Sequence, residues 1–326
     1  MSRTESLYCP FSPEIHPDAS SVHETSLRWA QALGMLSTEQ HVRAAHQAKV
    51  GWLVARAFPT ALPHGLQLIA DWTLLFCSLD DHIEQLGTAG AIEAYLQHLL
   101  DVFRADIASS SEDPFVAGML DLRRRLLAIA PPSHLTRFTE RLAELFAANV
   151  AEAWNRDGAK IPDIASYVHL RAITVGLHVI FELSELLEGV RLSDRTREHP
   201  TLQQLATRTS NIVGWANDLF TYEKELRQGE VHNLVMVLMN ERRLSMTEAV
   251  AAAVALHDNE VRGFQQDVEQ LPYFGLADVG VQRYVAMLRC WIRGHLDWAH
   301  ETGRYRPLDE PCATQAARPA EQLAAA

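Results

Sequence analysis

The sequence has few of the features that mark secreted, membrane-spanning or disulfide-bonded proteins. Only four of its 326 residues are cysteine, and no two of them form a C-x-x-C pair. We therefore expect reduced thiols in a cytoplasmic protein rather than disulfides or a zinc site. Residues 1–13 contain no apolar stretch typical of a signal peptide. No uninterrupted apolar run approaches the length needed to cross a bilayer, so we expect no transmembrane segment.

Positive charge is also scarce. The chain has 29 Lys and Arg residues against 41 Asp and Glu residues, which gives a formal net charge of −12. Binding to nucleic acid requires a basic surface, so we expect no nucleic-acid partner. An anionic ligand would have to be bound by a few local cations or through metal ions.

Strand-like alternation is absent, and helical periodicity dominates the chain. We find no internal repeat and no low-complexity linker, which favours a single domain over residues 1–326 with flexible tails at 1–8 and 311–326. The pattern predicts an all-α bundle of ten or eleven helices. The predicted helices cover residues 26–36, 41–58, 65–86, 91–108, 114–130, 132–156, 164–188, 202–227, 235–240, 246–270 and 279–302.

Two of these segments are apolar on nearly every face, which is typical of helices in the middle of a bundle. They cover residues 65–79 and 170–187. The first runs directly into the acidic cluster 80–84, and the second contains Arg171 near its start. Because charges are rarely buried without partners, both placements require an explanation.

The acidic cluster has the spacing of a metal site. Asp80, Asp81 and Glu84 crowd the end of a helix, where the helix dipole disfavours negative charge. Carboxylate oxygens suit Mg²⁺ or Mn²⁺. We interpret His82 as an exposed or supporting residue rather than a ligand. The alternative for the whole cluster is a solvated acidic helix end.

A second candidate metal site lies far along the chain. Asn217, Thr221 and Glu225 are spaced at i, i+4 and i+8, which places three oxygen-bearing side chains on one helix face. The alternative for this helix is a polar stripe on the protein surface. The corresponding alternative for the whole chain is a non-enzymatic helical module that binds other proteins. Two such rows facing each other could hold several divalent ions and a polyphosphate.

These clusters, together with three further features, resemble the class I terpene synthases of bacterial type. An arginine, Arg171, precedes Asn217 by 46 positions, and an Arg-Tyr pair closes the last helix. The resemblance extends from about residue 8 to about residue 307. The matching positions are Asp80, Asp81 and Glu84 in the aspartate-rich motif, Asn217, Asp218, Thr221, Lys224 and Glu225 in the second metal motif, and Arg171, Trp298, Arg304 and Tyr305 outside them.

The resemblance implies an all-α class I terpenoid synthase bundle with a central active-site cavity. It also implies three Mg²⁺ ions, with Mn²⁺ as an alternative metal. The implied metal ligands are Asp80, Asp81, Glu84, Asn217, Thr221 and Glu225. The implied diphosphate-binding residues are Arg171, Lys224, Arg304 and Tyr305.

We expect three further residues in the cavity wall. Phe76 lies one turn before Asp80, and Trp298 precedes Arg304 by six residues. Their aromatic faces can stabilise a carbocation. Gly176 can permit a helix break that exposes a backbone carbonyl. We do not expect Trp215, Phe220 or Tyr222 to line the cavity, since they lie off the face of the metal ligands.

The expected reaction is the cyclisation of a linear isoprenoid diphosphate, with release of diphosphate. Farnesyl diphosphate is the first choice of substrate, followed by geranylgeranyl diphosphate and geranyl diphosphate. Two other enzyme classes remain open, a chain-elongating prenyltransferase and an all-α nucleotide pyrophosphatase. Members of the family are often dimers, so a homodimer is possible.

Overall fold

The computed structural model describes residues 7–105, 112–187, 190 and 192–305. Within this part of the chain, the regular structure is helical, with no strand, and the expected all-α fold is confirmed. Short 3₁₀ helices cover Glu84–Leu86 and Gly275–Ala277. The α-helices are α1 (Ala19–Ala32), α2 (Glu39–Ala48), α3 (Val50–Ala57), α4 (Pro63–Ile83), α5 (Ala89–Ala105), α6 (Pro114–Leu127), α7 (Pro132–Asp157), α8 (Ile164–Thr174), α9 (Leu177–Leu187), α10 (Asp194–Arg197), α11 (Pro200–Gln228), α12 (Leu234–Arg242), α13 (Met246–Glu269) and α14 (Asp278–Glu301).

Local sequence signals set many of the helix ends. Helices α4, α6, α7 and α11 each have proline in the first turn, where its missing N–H is not needed. The side chain of Asp113 caps α6 by accepting from two backbone N–H groups. Ser245 and Glu248 form a capping box at the start of α13. Gly229, with φ of 75°, ends α11 in the left-handed conformation.

The helix predicted over residues 41–58 is wrong, because it is two helices separated at Lys49. Lys49 has φ of 51°, and α2 and α3 lie on either side of it. The break is stabilised from the far end of the chain. The indole Nε1 of Trp298 donates to the carbonyls of Ala48 (2.8 Å) and Lys49 (3.1 Å), and the Thr302 hydroxyl donates to Ala48 (2.9 Å). No local pattern could show these donors.

The helix predicted over residues 164–188 is also divided. It breaks between α8 and α9 at Gly176, whose φ is 78°, so the expected break is present; residue 188 lies outside the described residues. By length and composition alone, Ile164–Leu186 is apolar enough to cross a membrane. In the structure Val175, Leu177 and Ile180 face an internal cavity, which accounts for part of this apolar character.

The flexible N-terminal tail expected over residues 1–8 does not include residues 7 and 8, which pack against the bundle. Leu7 is buried in an apolar cluster with α12 and α13. The backbone N–H of Tyr8 donates to Asp258 at 2.9 Å, and its hydroxyl donates to Gln265 at 3.0 Å. Residues 1–6 and 306–326, which include the rest of both expected tails, lie outside the described residues.

The bundle surrounds a cavity of about 600 Å³. Helices α3, α4, α7, α8, α9, α11 and α14 all contribute side chains to its wall. Behind the wall, Trp72 of α4 is fully buried and packs against Phe76, Phe103 and Phe138, with ring centroids 4.9–6.0 Å apart. Large aromatic side chains fix the helix positions by burying much apolar area. The packed shell therefore holds the cavity open between rigid helices.

We predict that Gly51→Ala destabilises the fold. Gly51 of α3 lies against His23 of α1, and a Cβ there would lie 2.5 Å from the His23 Cβ. The overpacking should cost about 1–3 kcal/mol of unfolding free energy, measured by urea titration. Gly90→Ala is the matched control because a Cβ at Gly90 meets nothing within 4 Å. Equal stability of the two variants would contradict the tight packing of α1 on α3.

Candidate active site

The cavity changes from apolar to charged along its length. On α7 the lining residues run from Leu145 and Phe146, through Asn149 and Glu152, to Arg156. On α4 they run in the same sense, from Thr73 and Phe76 to the acidic cluster at 80–84. We call the charged end of this main cavity the rim. The gradient suits a ligand with a charged head and an apolar tail.

The first acidic cluster divides between two cavities. Asp80 and Glu84 line the main cavity, while Asp81 lines a neighbouring side cavity of about 610 Å³. Partial desolvation raises the pKa of Glu84 to about 7, and Asp80 and Asp81 add to the shift. Partial desolvation also raises the pKa of Asp80, while Arg304 opposes the shift and Asp81 reinforces it. Desolvation and mutual repulsion therefore both disfavour the charged forms of Asp80 and Glu84.

The second cluster lies on α11, in another wall of the same cavity. Asn217 and Glu225 line the cavity, and Thr221 is buried beside them. The Thr221 hydroxyl donates to the Asn217 carbonyl at 3.0 Å. Glu225 accepts from the side chain of Asn233 at 2.9 Å. The structure thus brings both predicted clusters to one cavity.

Arg171 is anchored at this wall by Asp218, which is 1 % exposed. Its Nε donates to Asp218 at 3.0 Å, and its Nη2 donates to the Oδ1 of Asn217 at 2.8 Å. Asp218 also accepts from the Tyr167 hydroxyl and from the Leu234 N–H. Burial alone would lower the pKa of Arg171, but Asp218 and Tyr167 outweigh it and hold the pKa above its usual range.

Arg304 and Tyr305 line both the main cavity and the side cavity. Arg304 donates two hydrogen bonds to Asp81, at 2.8 and 2.9 Å, and lies 3.7 Å from Asp80. The Tyr305 hydroxyl accepts from Asn217 at 2.7 Å. The last residues of the described chain therefore connect α4 to α11. Lys224 is exposed and lines the side cavity rather than the main one.

Aromatic side chains line the apolar part of the cavity. Phe76 and Trp298 both face it, together with Trp291, which the sequence analysis missed. Trp291 lies on α14, two turns before Trp298, and shares its helix face. Gly176 is also in the lining. The aromatic residues at 215, 220 and 222 are not in the lining of the main cavity.

The sequence analysis also missed a group of polar residues in the wall. Glu152 lies on α7, and burial raises its pKa to about 8. Arg156, one turn later, forms an ion pair with Glu230 at 2.8 Å. His232 and His295 complete the group. The i, i+4 spacing of Glu152 and Arg156 is typical of an ordinary surface ion pair, so no sequence signal marked them.

The donor chemistry of the two clusters fits a hard divalent cation, because all the side-chain donors are oxygens. The raised pKa values of Asp80 and Glu84 indicate the same, since a cation would relieve them. Among the described residues, no three His, Cys, Asp or Glu side chains are already gathered around one point. The donors lie instead on two walls, and the Asn217 oxygen is held by Arg171.

Comparisons with known proteins agree with this geometry. The sequence profile described as terpene synthase family 2, C-terminal metal binding, matches residues 71–263. This range contains both acidic clusters and Arg171, and it covers more than half of the chain.

The chain belongs to this terpene synthase family. It is a class I terpene synthase of the bacterial type. A (+)-T-muurolol synthase ((2E,6E)-farnesyl diphosphate cyclizing) of Roseiflexus castenholzii is 33% identical over 92% of this chain and 93% of its own length. A 4-epi-cubebol synthase of Streptosporangium roseum is 30% identical over 93% of this chain and 92% of its own.

Solved structures show the same fold. The crystal structure of germacradien-4-ol synthase from Streptomyces citricolor has a TM-score of 0.81 and 22% identity, over 92% of this chain and 99% of that one. The expected class I terpenoid synthase bundle is therefore confirmed. Because the family profile is a metal-binding one, this terpene synthase depends on divalent metal.

We predict that His295 makes the stability of this terpene synthase sensitive to acid. His295 is 4 % exposed, and burial, with Arg171 and His257, lowers its pKa to about 3. In the unfolded chain the His295 imidazole binds a proton near pH 6.5. The free energy of unfolding therefore falls as the pH decreases below that value, until His295 is also protonated in the folded state. Between pH 7 and pH 5 this group alone should remove about 2 kcal/mol of unfolding free energy.

The measurement is urea unfolding of wild type and His295→Gln at both pH values. The variant should lose about 2 kcal/mol less than wild type between pH 7 and pH 5. His98→Gln, at an exposed position on α5, is the control and should behave as wild type. An equal loss in wild type and His295→Gln would show that His295 does not remain neutral in the folded protein.

Proposed function

We propose that this terpene synthase cyclises farnesyl diphosphate to a sesquiterpene in a Mg²⁺-dependent reaction. One observation carries the proposal. A single cavity has acidic clusters from α4 and α11 at its rim and aromatic side chains along its interior. Such a cavity suits an amphiphilic substrate whose diphosphate binds at the rim and whose chain lies inside. Relatives whose names state farnesyl diphosphate as the substrate support the chain length.

Six oxygen-bearing residues of the two clusters are proposed to bind metal, and three cationic side chains and one tyrosine hydroxyl are proposed to bind the diphosphate. When bound, Mg²⁺ ions would neutralise the diphosphate and stabilise it as a leaving group. The proposed metal ligands are Asp80, Asp81, Glu84, Asn217, Thr221 and Glu225. The proposed diphosphate-binding residues are Arg171, Lys224, Arg304 and Tyr305.

Arg171 is prepared for this task by its surroundings. Asp218 accepts from the Arg171 Nε and holds the guanidinium at the cavity wall, so little side-chain entropy is lost when Arg171 binds an anion. Its Nη2 contacts Asn217, and it would have to move from that oxygen to the diphosphate. Arg304 would likewise exchange Asp81 for the diphosphate, since both are anionic acceptors for its planar fork.

The interior of the cavity would protect the cation. Heterolysis of the C–O bond leaves its electron pair on the diphosphate and an allylic cation on the chain. Phe76, Trp291 and Trp298 line the cavity and present aromatic surface for cation–π stabilisation. The surrounding apolar side chains exclude water, which would otherwise capture the cation early. Cyclisation then proceeds through the double bonds of the same chain, and the final cation loses a proton or captures water to give the neutral product.

The first experiment is product analysis. We expect a sesquiterpene from farnesyl diphosphate with Mg²⁺, detected by gas chromatography and mass spectrometry, and none after chelation with EDTA. Parallel incubations with geranyl and geranylgeranyl diphosphate measure substrate preference. Preference for the longer substrate would establish a diterpene cyclase instead. No terpene from any of the three substrates would refute the proposal.

The second experiment tests the first acidic cluster. Asp80→Asn keeps the shape of the side chain but removes the charge, and we expect kcat/KM to fall at least about a hundredfold, since even indirect metal contacts are worth about 10–100-fold. The melting temperature should stay the same or rise, because Asp80 is crowded by Asp81. Asp101→Asn, at an exposed position on α5, is the matched control. Unchanged turnover in Asp80→Asn would remove Asp80 from the metal site.

A further inference from the structure

Glu152 belongs to neither candidate metal cluster, but it accepts a hydrogen bond in the cavity wall. The hydroxyl of Thr174 donates to Glu152 Oε1 at 2.8 Å and so joins α7 to the last residue of α8. Both residues line the main cavity. Thr174 directly precedes the break at Val175 and Gly176, and it follows Arg171 by three residues. The contact therefore lies next to both the break and Arg171.

On its other side the break lies against α11, at ordinary van der Waals distance. A Cβ added to Gly214 of α11 would lie 3.4 Å from the Arg171 Cγ and 3.8 Å from the Val175 Cβ. Val175, Gly176 and Leu177 form part of the cavity wall. The break therefore lies between α11, against which Val175 packs, and α7, to which Thr174 donates its hydrogen bond.

The loop that follows α11 brings His232 close to Glu152. The His232 Nδ1 lies 3.7 Å from Glu152 Oε1, and the side-chain nitrogen of Asn155 donates to the His232 Nε2 at 3.1 Å. This contact places the proton of the neutral ring on Nδ1, which faces Glu152 and has no hydrogen-bond partner among the described residues. The next residue, Asn233, donates to Glu225.

We propose that Glu152 is a positioning residue that acts through Thr174 to fix the α8–α9 break in the cavity wall. The cyclisation outcome depends on the contour of that wall, so this contact biases which product forms. The effect on products rests on the proposed function, whereas the effect on the backbone does not. A carboxyl group accepts the Thr174 hydrogen bond whether or not it is protonated, so the proposal requires no titration of Glu152.

The test compares two pairs of variants. Thr174→Val removes the donor at constant shape, and Thr174→Ser keeps it. Glu152→Leu removes the acceptor, and Glu152→Gln keeps an acceptor oxygen without the charge. Thermal unfolding of each variant verifies that it folds. The double variant Thr174→Val, Glu152→Leu tests whether the two residues act as one unit.

The first measurement is hydrogen exchange of residues 170–178 in the full chain without substrate. We expect exchange in this segment to rise about fivefold in Thr174→Val and Glu152→Leu, the factor that one ordinary hydrogen bond is worth. The two conservative variants should match wild type. The double variant should show no larger rise than either single variant. Exchange in Thr174→Val that equals that of wild type would overturn the proposal.

The second measurement is the ratio of cyclic to acyclic products from the preferred prenyl diphosphate. Thr174→Val should shift it about fivefold towards acyclic products, with less effect on KM than on kcat for cyclisation. If Glu152→Gln lost cyclisation while Thr174→Val kept it, Glu152 would act by its charge and the proposal would be wrong. Wild type that makes no terpene would refute the proposed function instead, and the exchange result would still decide this inference.

Discussion

The buried ion pair between Arg171 and Asp218 is the interaction on which the candidate site depends. Asp218 is almost completely enclosed and receives donors from Tyr167, Arg171 and the Leu234 backbone. A buried carboxylate is costly unless it is fully paired, so this set of donors ties α8, α11 and the start of α12 together. The pair also directs the guanidinium to the cavity, next to Asn217. The electrostatics that stabilise the core therefore place the cation of the site.

The rim of the cavity combines arginine side chains with carboxylates, although the chain as a whole is negatively charged. The net charge is −12, and yet the rim of the cavity carries Arg171, Arg156 and Arg304. Arg156 is neutralised by Glu230, and Arg304 by Asp81. Desolvation and the neighbouring carboxylates raise the pKa of both Asp80 and Glu84. The site thus combines anchored cations with surplus carboxylates, which is the balance that a metal-bound anion requires.

The sequence predicted the fold class, both clusters and Arg171, because each depends on local periodicity or fixed spacing. Gly176 was predicted as a break because glycine tolerates positive φ. The break at Lys49 was not, since its stabilising donors, Trp298 and Thr302, are about 250 residues away. Asp81 could not be assigned to the side cavity because a helix turns about 100° between neighbours, and the outcome depends on which helix packs there. Glu152 was missed because its partners lie on α8 and after α11.

The two helix breaks, at Lys49 and Gly176, persist for the same physical reason. A break frees backbone polar groups and exposes them, so it persists only where the surroundings satisfy them or hold the chain by packing. At Lys49 the satisfying groups are Trp298 and Thr302, which makes a tryptophan of the cavity wall part of the support of α2 and α3. At Gly176 the preceding residue Val175 lies against α11 near Gly214, and Thr174 donates to Glu152. In both places a cavity-lining side chain also fixes the backbone, so the contour of the cavity depends on the contacts that hold the two breaks.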